Sequence, residues 1–349
     1  MDRQHLHHPD VHMPASQWSE DQTLHVAACY SNPFRWRSRR ELANDFRRHM
    51  MVSPNVDLHL IELAYGDRPF DVTDPALYPN DIQLRTRHEL FHKENMLNIA
   101  IRNFPPTWKY GAIIDADFLF TRHDFALETI HQLQHYDWVQ MYSSIMDLDG
   151  ETVKGEGHRP CGPARKGFVY TWVENDFQLP AGFGPNGTCP PYYPYGGRGA
   201  PGATGGAWAF RRSAFDTCGG LLDRCILGSG DWFMAFGLVG DPGTFPFVKS
   251  YTADYIQYIE AWQERASQLK KNIGYVDCHV VHHFHGRKSD RAYGTRDKIL
   301  VDNAYSPNRD VYPDWQGILQ LTGNKPRLRD EIRRYFLTRC EDLPTEPRR

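Results

Sequence analysis

No apolar run in the 349-residue chain approaches the roughly 18 residues that a membrane-spanning helix requires. The opening stretch, MDRQHLHHPDVHM, is polar and His-rich and lacks a signal-peptide core, so the expectation is a cytoplasmic protein with a disordered tail over residues 1–22. Cysteine is scarce. The seven residues are odd in number, scattered and without a C-x-x-C pair, which excludes a disulfide framework and a zinc ribbon. In a chain that stays in the cytoplasm the sequon at Asn186 goes unused. Nor is there an excess of one charge: 40 Lys and Arg against 43 Asp and Glu exclude a globally basic nucleic-acid binder, but not a local basic face. No internal repeat is found. With 40% hydrophobic and 24% charged residues the chain is not disordered throughout, and its length allows one large α/β domain or two smaller ones.

What is present is an alternation. TLHVAACYS from Thr23 reads as a strand, RSRRELANDFRRHM from Arg37 as a helix, VDLHLIELA from Val56 as a strand, HELFHKENMLNIAIRNF as an amphipathic helix, and YGAIIDADFLF from Tyr110 as a buried strand. Such alternation predicts a mostly parallel sheet flanked by helices, with ligands at the carboxyl ends of its strands. Composition then shifts: of 28 glycines and 24 prolines, 21 fall between Gly155 and Gly206, and this stretch, with its PPYYPYGG aromatics, reads as a long loop suited to a lid. Beyond it come strand, helix, Gly-rich turn and helix (GGAWAFRRSAFDTCGGLLDRCILGSGDWFMAFGLVG), then GYVDCHVVHHFHG, a strand ending in four histidines, and a final helix, PRLRDEIRRYFLTRCEDL. The division expected is a catalytic domain over 23–298 (a donor-binding half over 23–140, the loop over 155–206, a catalytic half over 207–298) and a C-terminal extension over 299–349.

The chemistry concentrates at two strand ends. Asp115 and Asp117, one residue apart after an apolar strand, repel each other and resist burial, and a shared cation relieves both costs. Strand alternation places His279, His283 and His285 on one face and His282 on the other, and imidazole with carboxylate suits Mn²⁺ or another divalent ion. A phosphatase reading of D-x-D fits poorly, because the motif comes late and continues Phe118-Leu119. A sugar nucleotidyltransferase is disfavoured because ACYSNPFRWRS lacks a Gly-rich phosphate loop.

In order and spacing these motifs resemble the GT-A glycosyltransferases, in particular the β-1,4-galactosyltransferases. Pro33-Phe34-Arg35-Trp36-Arg37 is similar to their P-F-R-x-R, FHKENMLNIA to their F-N-R-A-K-L-L-N-x-G, Asp115 and Asp117 to their D-x-D, and the run from Gly205 to Asp231 to their G-G strand and W-G-x-G-G-E-D. The resemblance covers roughly Leu24 to Lys288 and implies a GT-A, Rossmann-like fold and transfer of a sugar from a nucleotide-sugar, a UDP-sugar first, with Mn²⁺ or Mg²⁺. Pro33, Phe34, Arg35, Arg37, Glu62, Phe91, Lys93, Asp115, Arg287 and Lys288 would then contact the donor. Asp115, Asp117 and His283, with His285 as alternate, would hold the metal, and Asp231 would be the base of an inverting reaction. Two departures stand out: the acidic cluster is reduced to Gly230-Asp231-Trp232, and Leu227 replaces a substrate-contacting tryptophan.

The acceptor is open. Of the basic runs RWRSRRELANDFRRH, HGRKSDRAYGTRDK and KPRLRDEIRRYFLTR, two flank the site in sequence, so a hydroxymethylated base in DNA stands beside a glycan or small-molecule hydroxyl. A non-catalytic sugar- or nucleotide-binding module is the other class, but such a module has no need of a base at Asp231.

Overall fold

The computed structural model describes residues 21–153, 157–179, 201–240, 250–287, 289–293 and 295–342. The expected N-terminal tail, the aromatic part of the loop, the sequon and Lys288 lie largely or wholly outside them.

The chain opens with β1 (Leu24–Ser31), α1 (Arg37–Val52), β2 (Val56–Tyr65), β3 (Ile82–Thr86), α2 (Lys93–Arg102) and β4 (Tyr110–Ile114). β1 pairs in parallel with both β2 and β4, and β2 with β3. Next come β5 (Phe118–Phe120), α3 (Phe125–Leu133), β6 (Trp138–Gln140), β7 (Ser144–Val153), β8 (Gly157–Pro160), β9 (Arg165–Lys166) and α4 (Phe168–Glu174). They are followed by β10 (Ala207–Arg211), α5 (Arg212–Cys218), α6 (Gly230–Val239), α7 (Ala253–Ser267), β11 (Ile273–Tyr275) and β12 (His279–His282). α8 (Lys298–Asp302), the hairpin β13 (Val311–Pro313) and β14 (Leu319–Leu321), and α9 (Pro326–Thr338) complete the chain.

The central sheet runs β11-β6-β10-β4-β1-β2-β3 and is parallel except for β10, which lies antiparallel between β4 and β6. This is the mixed, mostly parallel α/β architecture that the alternation predicts. β4 sits at its middle, and all five of its residues are buried, which is why it reads as an unbroken apolar run. A second sheet, β5-β12-β7-β8 with β9 on β7, takes over where β4 ends. The three residues Asp115, Ala116 and Asp117 are the whole link between β4 of the first sheet and β5 of the second, so the carboxylates stand at a junction of backbone rather than inside either ladder.

Two expectations need correction. The Gly/Pro-rich stretch 155–206 is not loop throughout: α4 lies within it, and Phe168, Val169 and Trp172 are buried against the main core. Their burial decides the local structure where glycine content argues for none. The second amphipathic helix begins at Lys93 rather than His88, because Phe91 N donates to Ile226 O and ties 88–92 to the later chain instead. The C-terminal extension is helical as expected but adds the β13–β14 hairpin, which covers α2: Asn95 Nδ2 donates to Gly317 O and Leu319 N to Asn95 Oδ1. Among the described residues no helix is long and apolar enough to cross a membrane.

Candidate active site

β5 and β12 are antiparallel with His282 opposite Phe118, and His283 N donates to Asp117 O at 2.9 Å. This register brings the histidine-bearing strand to the Asp-x-Asp link. His285 Nε2 lies 2.9 Å and His282 Nε2 3.7 Å from Asp117 Oδ2, and the two ring nitrogens are 3.2 Å apart. The group that converges is therefore Asp117, His282 and His285. His285 was the expected alternate. His283 is not a member of the group, and His282, expected on the other face, takes its place. The alternation fails for a physical reason: β12 ends at His282, so the period of two no longer applies to residues 283–285.

A divalent ion about 2.1 Å from each ligand spaces neighbouring ligand atoms by about 3 Å, close to the observed separations. The remaining oxygen of Asp117, Oδ1, is buried without a hydrogen-bond partner, a costly condition that a cation removes. Both rings have a carboxylate behind them, as metal-ligating histidines do, and that of His282 is within hydrogen-bond distance. His282 Nδ1 is 2.8 Å from Asp147 Oδ1, and Asp147 is itself gripped by Arg165 at 2.9 and 3.1 Å. His285 Nδ1 is 3.9 Å from Glu341, which is anchored by Arg39 and Arg339. The residues present fit a divalent cation. Burial works against ionisation of Asp117, but His285 and His282 outweigh it and hold the carboxyl well below its usual range. Burial likewise opposes charge on His282, yet Asp117 and Asp147 raise it to about 9, whereas burial and Arg291 lower His285.

Asp115 faces a different partner. Lys93, the first residue of α2, places Nζ 2.5 Å from Asp115 Oδ1. Burial and then Asp117 raise the Asp115 carboxyl against the pull of Lys93. Asp231 sits in the first turn of α6, after a turn in which Gly228 and Ser229 take φ of 92° and 71°. Its carboxylate acts electrostatically on Lys93, Asp115 and Glu94. A Cβ added at Gly205 would come within 2.6 Å of Asp231 Oδ2, so the glycine leaves room for that side chain. Three segments far apart in sequence thus meet: α2, the end of β4 and the start of α6.

The remaining expected residues divide. Arg35, with φ of 58°, lines a narrow cleft at the carboxyl ends of β1 and β2, together with Tyr30, Asn32, Tyr65 and Arg68. Glu62 is on the cleft wall but serves the loop: its oxygens accept from the backbone N–H of Asp71, Val72 and Thr73 and from the Thr73 hydroxyl. Pro33 O accepts from Arg68, and Phe34 and Phe91 pack against the main core. Arg37 points into solvent, 76% exposed and paired with Glu41 one turn on, while Arg39 is the arginine that reaches inward to Glu341. Arg287 is half-buried just after the histidine segment.

Four residues were not singled out. Asp147 and Glu341 act over long range and carry no local signal; Arg291, six residues after His285, donates from Nη2 to His285 O at 3.3 Å. Glu94, buried beside Lys93, had a signal, since a glutamate inside an apolar helix face is unexpected. Burial pushes its carboxyl up to about 8, Lys93 opposing and Asp231 adding to the rise.

No family model matches the chain, and no curated protein matches it. Solved structures do. The catalytic domain of Drosophila β1,4-galactosyltransferase 7 with xylobiose aligns at 12% identity and a TM-score of 0.32, over 73% of this chain and 64% of that one. A Pyrobaculum calidifontis mannosyltransferase with GDP-Man and Mn²⁺ aligns at 12% and 0.38, over 82% and 66%. A variant of the Drosophila enzyme with manganese, UDP-Gal and xylobiose aligns at 12% and 0.36, over 91% and 99%. The chain thus spans about two thirds of the length of the first two. Likenesses this distant leave the chemistry to be read from the site.

Proposed function

We propose that the chain is a metal-dependent glycosyltransferase of the GT-A type, moving a sugar from a nucleotide-sugar, a UDP-sugar first, to an acceptor hydroxyl. The observation that carries this reading is the convergence of Asp117, His282 and His285, with a buried Asp117 oxygen lacking a partner, at the junction where Asp115, Lys93 and Asp231 also gather.

Asp117, His282 and His285 would hold Mn²⁺ or Mg²⁺, and Asp115 borders them through its link to Asp117. The ion, when bound, supplies positive charge to a diphosphate leaving group. Lys93, held charged by Asp115, adds a second cation at the same place, and Arg35 and Arg68 offer donors to the nucleoside in the cleft beside β1. Asp231 accepts the acceptor's hydroxyl proton as that oxygen attacks the anomeric carbon, which gives inversion.

The basic runs give the DNA acceptor less support than their composition does. Arg37, Arg48, Arg327, Arg329 and Arg333 pair with Glu41, Asp45, Glu331, Asp330 and Glu89. Exposed pairs of this kind exchange partners at little cost, so hydroxymethylated DNA stays beside glycan and small-molecule hydroxyls as an acceptor to assay.

The test is a thermal-shift screen against nucleotide-sugars with Mn²⁺ or EDTA, followed by sugar-transfer assays with the donor found. Stabilisation that needs both metal and donor, and is lost in Asp117→Ala, supports the reading. A folded protein that responds to no donor overturns it.

A further inference from the structure

A second cluster lies at the other end of the central sheet. Strand periodicity puts Asp57 and His59 on the same face of β2 as Ile61 and Leu63, which are buried in the main core. Two polar residues interrupt the apolar stripe where β2 begins. The parallel register sets His25 of β1 opposite Asp57 and Ala27 opposite His59, so His25 joins them on that face. We propose that His25, Asp57 and His59 form a second divalent-metal site, of the zinc class, that ties β1 to β2.

The geometry is close to coordination. His25 Nδ1 is 2.8 Å and His59 Nε2 3.0 Å from the same oxygen, Asp57 Oδ2. The three ligand atoms lie within 4.8 Å of one another. A tetrahedral ion with bonds of about 2.0 Å sets its ligand atoms about 3.3 Å apart, so the two contacts to Asp57 open by only about 0.3–0.5 Å to admit one, and the two imidazoles, already within 4.8 Å of each other, settle to the same spacing.

Asn80 Nδ2 donates to Asp57 Oδ1 at 2.7 Å, which fixes the carboxylate with Oδ2 toward both rings, the outer contact that metal carboxylates have. The imidazoles are 6% and 2% exposed and are walled by Phe104, with ring centroids 5.4 and 4.6 Å away. The Asp57 side chain is 31% exposed and leaves an entry path and a fourth position for water. Two imidazoles and one carboxylate suit Zn²⁺ better than the harder Mg²⁺ or Ca²⁺. By the register of β1 with β4, His25 is level with Gly111, four residues before Asp115, so this ion is distinct from one held by Asp117. The site needs nothing from the transferase reading.

The experiment uses the full chain carrying Asp117→Ala, which disables the other cluster, freed of metal and titrated with Zn²⁺ and with Co²⁺. Asp57→Asn and, separately, His59→Gln are then added to that background. The parent should bind one more equivalent of Zn²⁺ than either double variant, with affinity at least about 100-fold tighter, beyond the scale of outer-contact losses. Its Co²⁺ form should show the intense visible bands of a tetrahedral site, and Zn²⁺ should raise its melting temperature but not that of the double variants. These differences also discount weak binding by the N-terminal histidines, which all three proteins share. Equal stoichiometry and equal thermal response in parent and Asp57→Asn would overturn the site and leave a hydrogen-bonded His-Asp-His triad. Should His59→Gln fail to fold, Asp57→Asn, changed at a partly exposed atom, decides alone.

Discussion

The Nδ1 of His282 sits 2.8 Å from Asp147 Oδ1, and this contact turns the other ring nitrogen toward Asp117 and His285. Asp147→Asn keeps the shape but weakens the hold on the ring and the pairing with Arg165. Mn²⁺ affinity is expected to fall about 10- to 100-fold while the melting temperature in EDTA falls far less. Calorimetric Mn²⁺ titration of parent and variant checks this; unchanged affinity would show that the histidine pair is not a metal ligand.

Asp231 and Gly205 give a paired prediction. Asp231→Asn removes the proposed proton acceptor and should lower kcat by about 10²- to 10⁴-fold with donor binding retained. Gly205→Ala leaves every charge in place, yet its Cβ would fall 2.6 Å from Asp231 Oδ2 and must push that carboxylate aside. It should therefore lower kcat in the same direction, by less, and leave the KM for donor nearly unchanged. A Gly205→Ala enzyme with parental kcat would remove Asp231 from the role of base.

The fold was legible where period and burial agree. β1, β2 and β4 announce themselves as apolar runs, α1 and α2 as helical spacing, and the Asp-x-Asp after β4 follows from where parallel sheets bind ligands. His282 and His283 were exchanged because the strand stops at His282, and strand ends are what a period of two cannot locate. Asp147 and Glu341 escaped notice because their meaning depends on pairings across more than a hundred residues. Arg37 stood in for Arg39 because a motif aligns residues without saying which side chain turns inward. α4 was hidden by its flanks: glycine and proline on both sides mask a seven-residue segment whose Phe168 and Trp172 are buried.

Glu94 gives a pH prediction with a definite sign. Its carboxyl is raised from 4.5 to about 8, first by burial and then, against Lys93, by Asp231. The folded state binds this proton more tightly than the unfolded state. The stability involved is fully present below about pH 4.5 and is lost as pH rises to about 8, where a buried carboxylate must ionise. Glu94→Gln, which cannot ionise, should match the parent near pH 5 and exceed it by up to a few kcal/mol at pH 8 to 9. Urea melts across this range check it, and a difference independent of pH would mean that Glu94 is charged in the folded protein throughout.

Trp172 separates two pictures of the Gly/Pro-rich stretch. In one, residues 157–179 belong to a loose lid, and truncating a side chain there costs less than about 0.5 kcal/mol, as at ordinary surface positions. In the structure Trp172 is 2% exposed, packs edge-on to Phe177 at a centroid distance of 5.0 Å, and belongs to the main core. Trp172→Ala should then cost about 3–5 kcal/mol, the scale of a buried aromatic removed with its cavity left behind. Phe168, buried in the same helix and tilted against Phe236 of α6 at a centroid distance of 5.0 Å, should behave alike. That link matters for function, because α6 carries Asp231 at its start: loosening α4 loosens the helix that positions the proposed base. The expected outcome is a lower urea midpoint for both variants and, at temperatures where they remain folded, a kcat that falls with little change in Mn²⁺ affinity. Full stability in Trp172→Ala would return this segment to the lid.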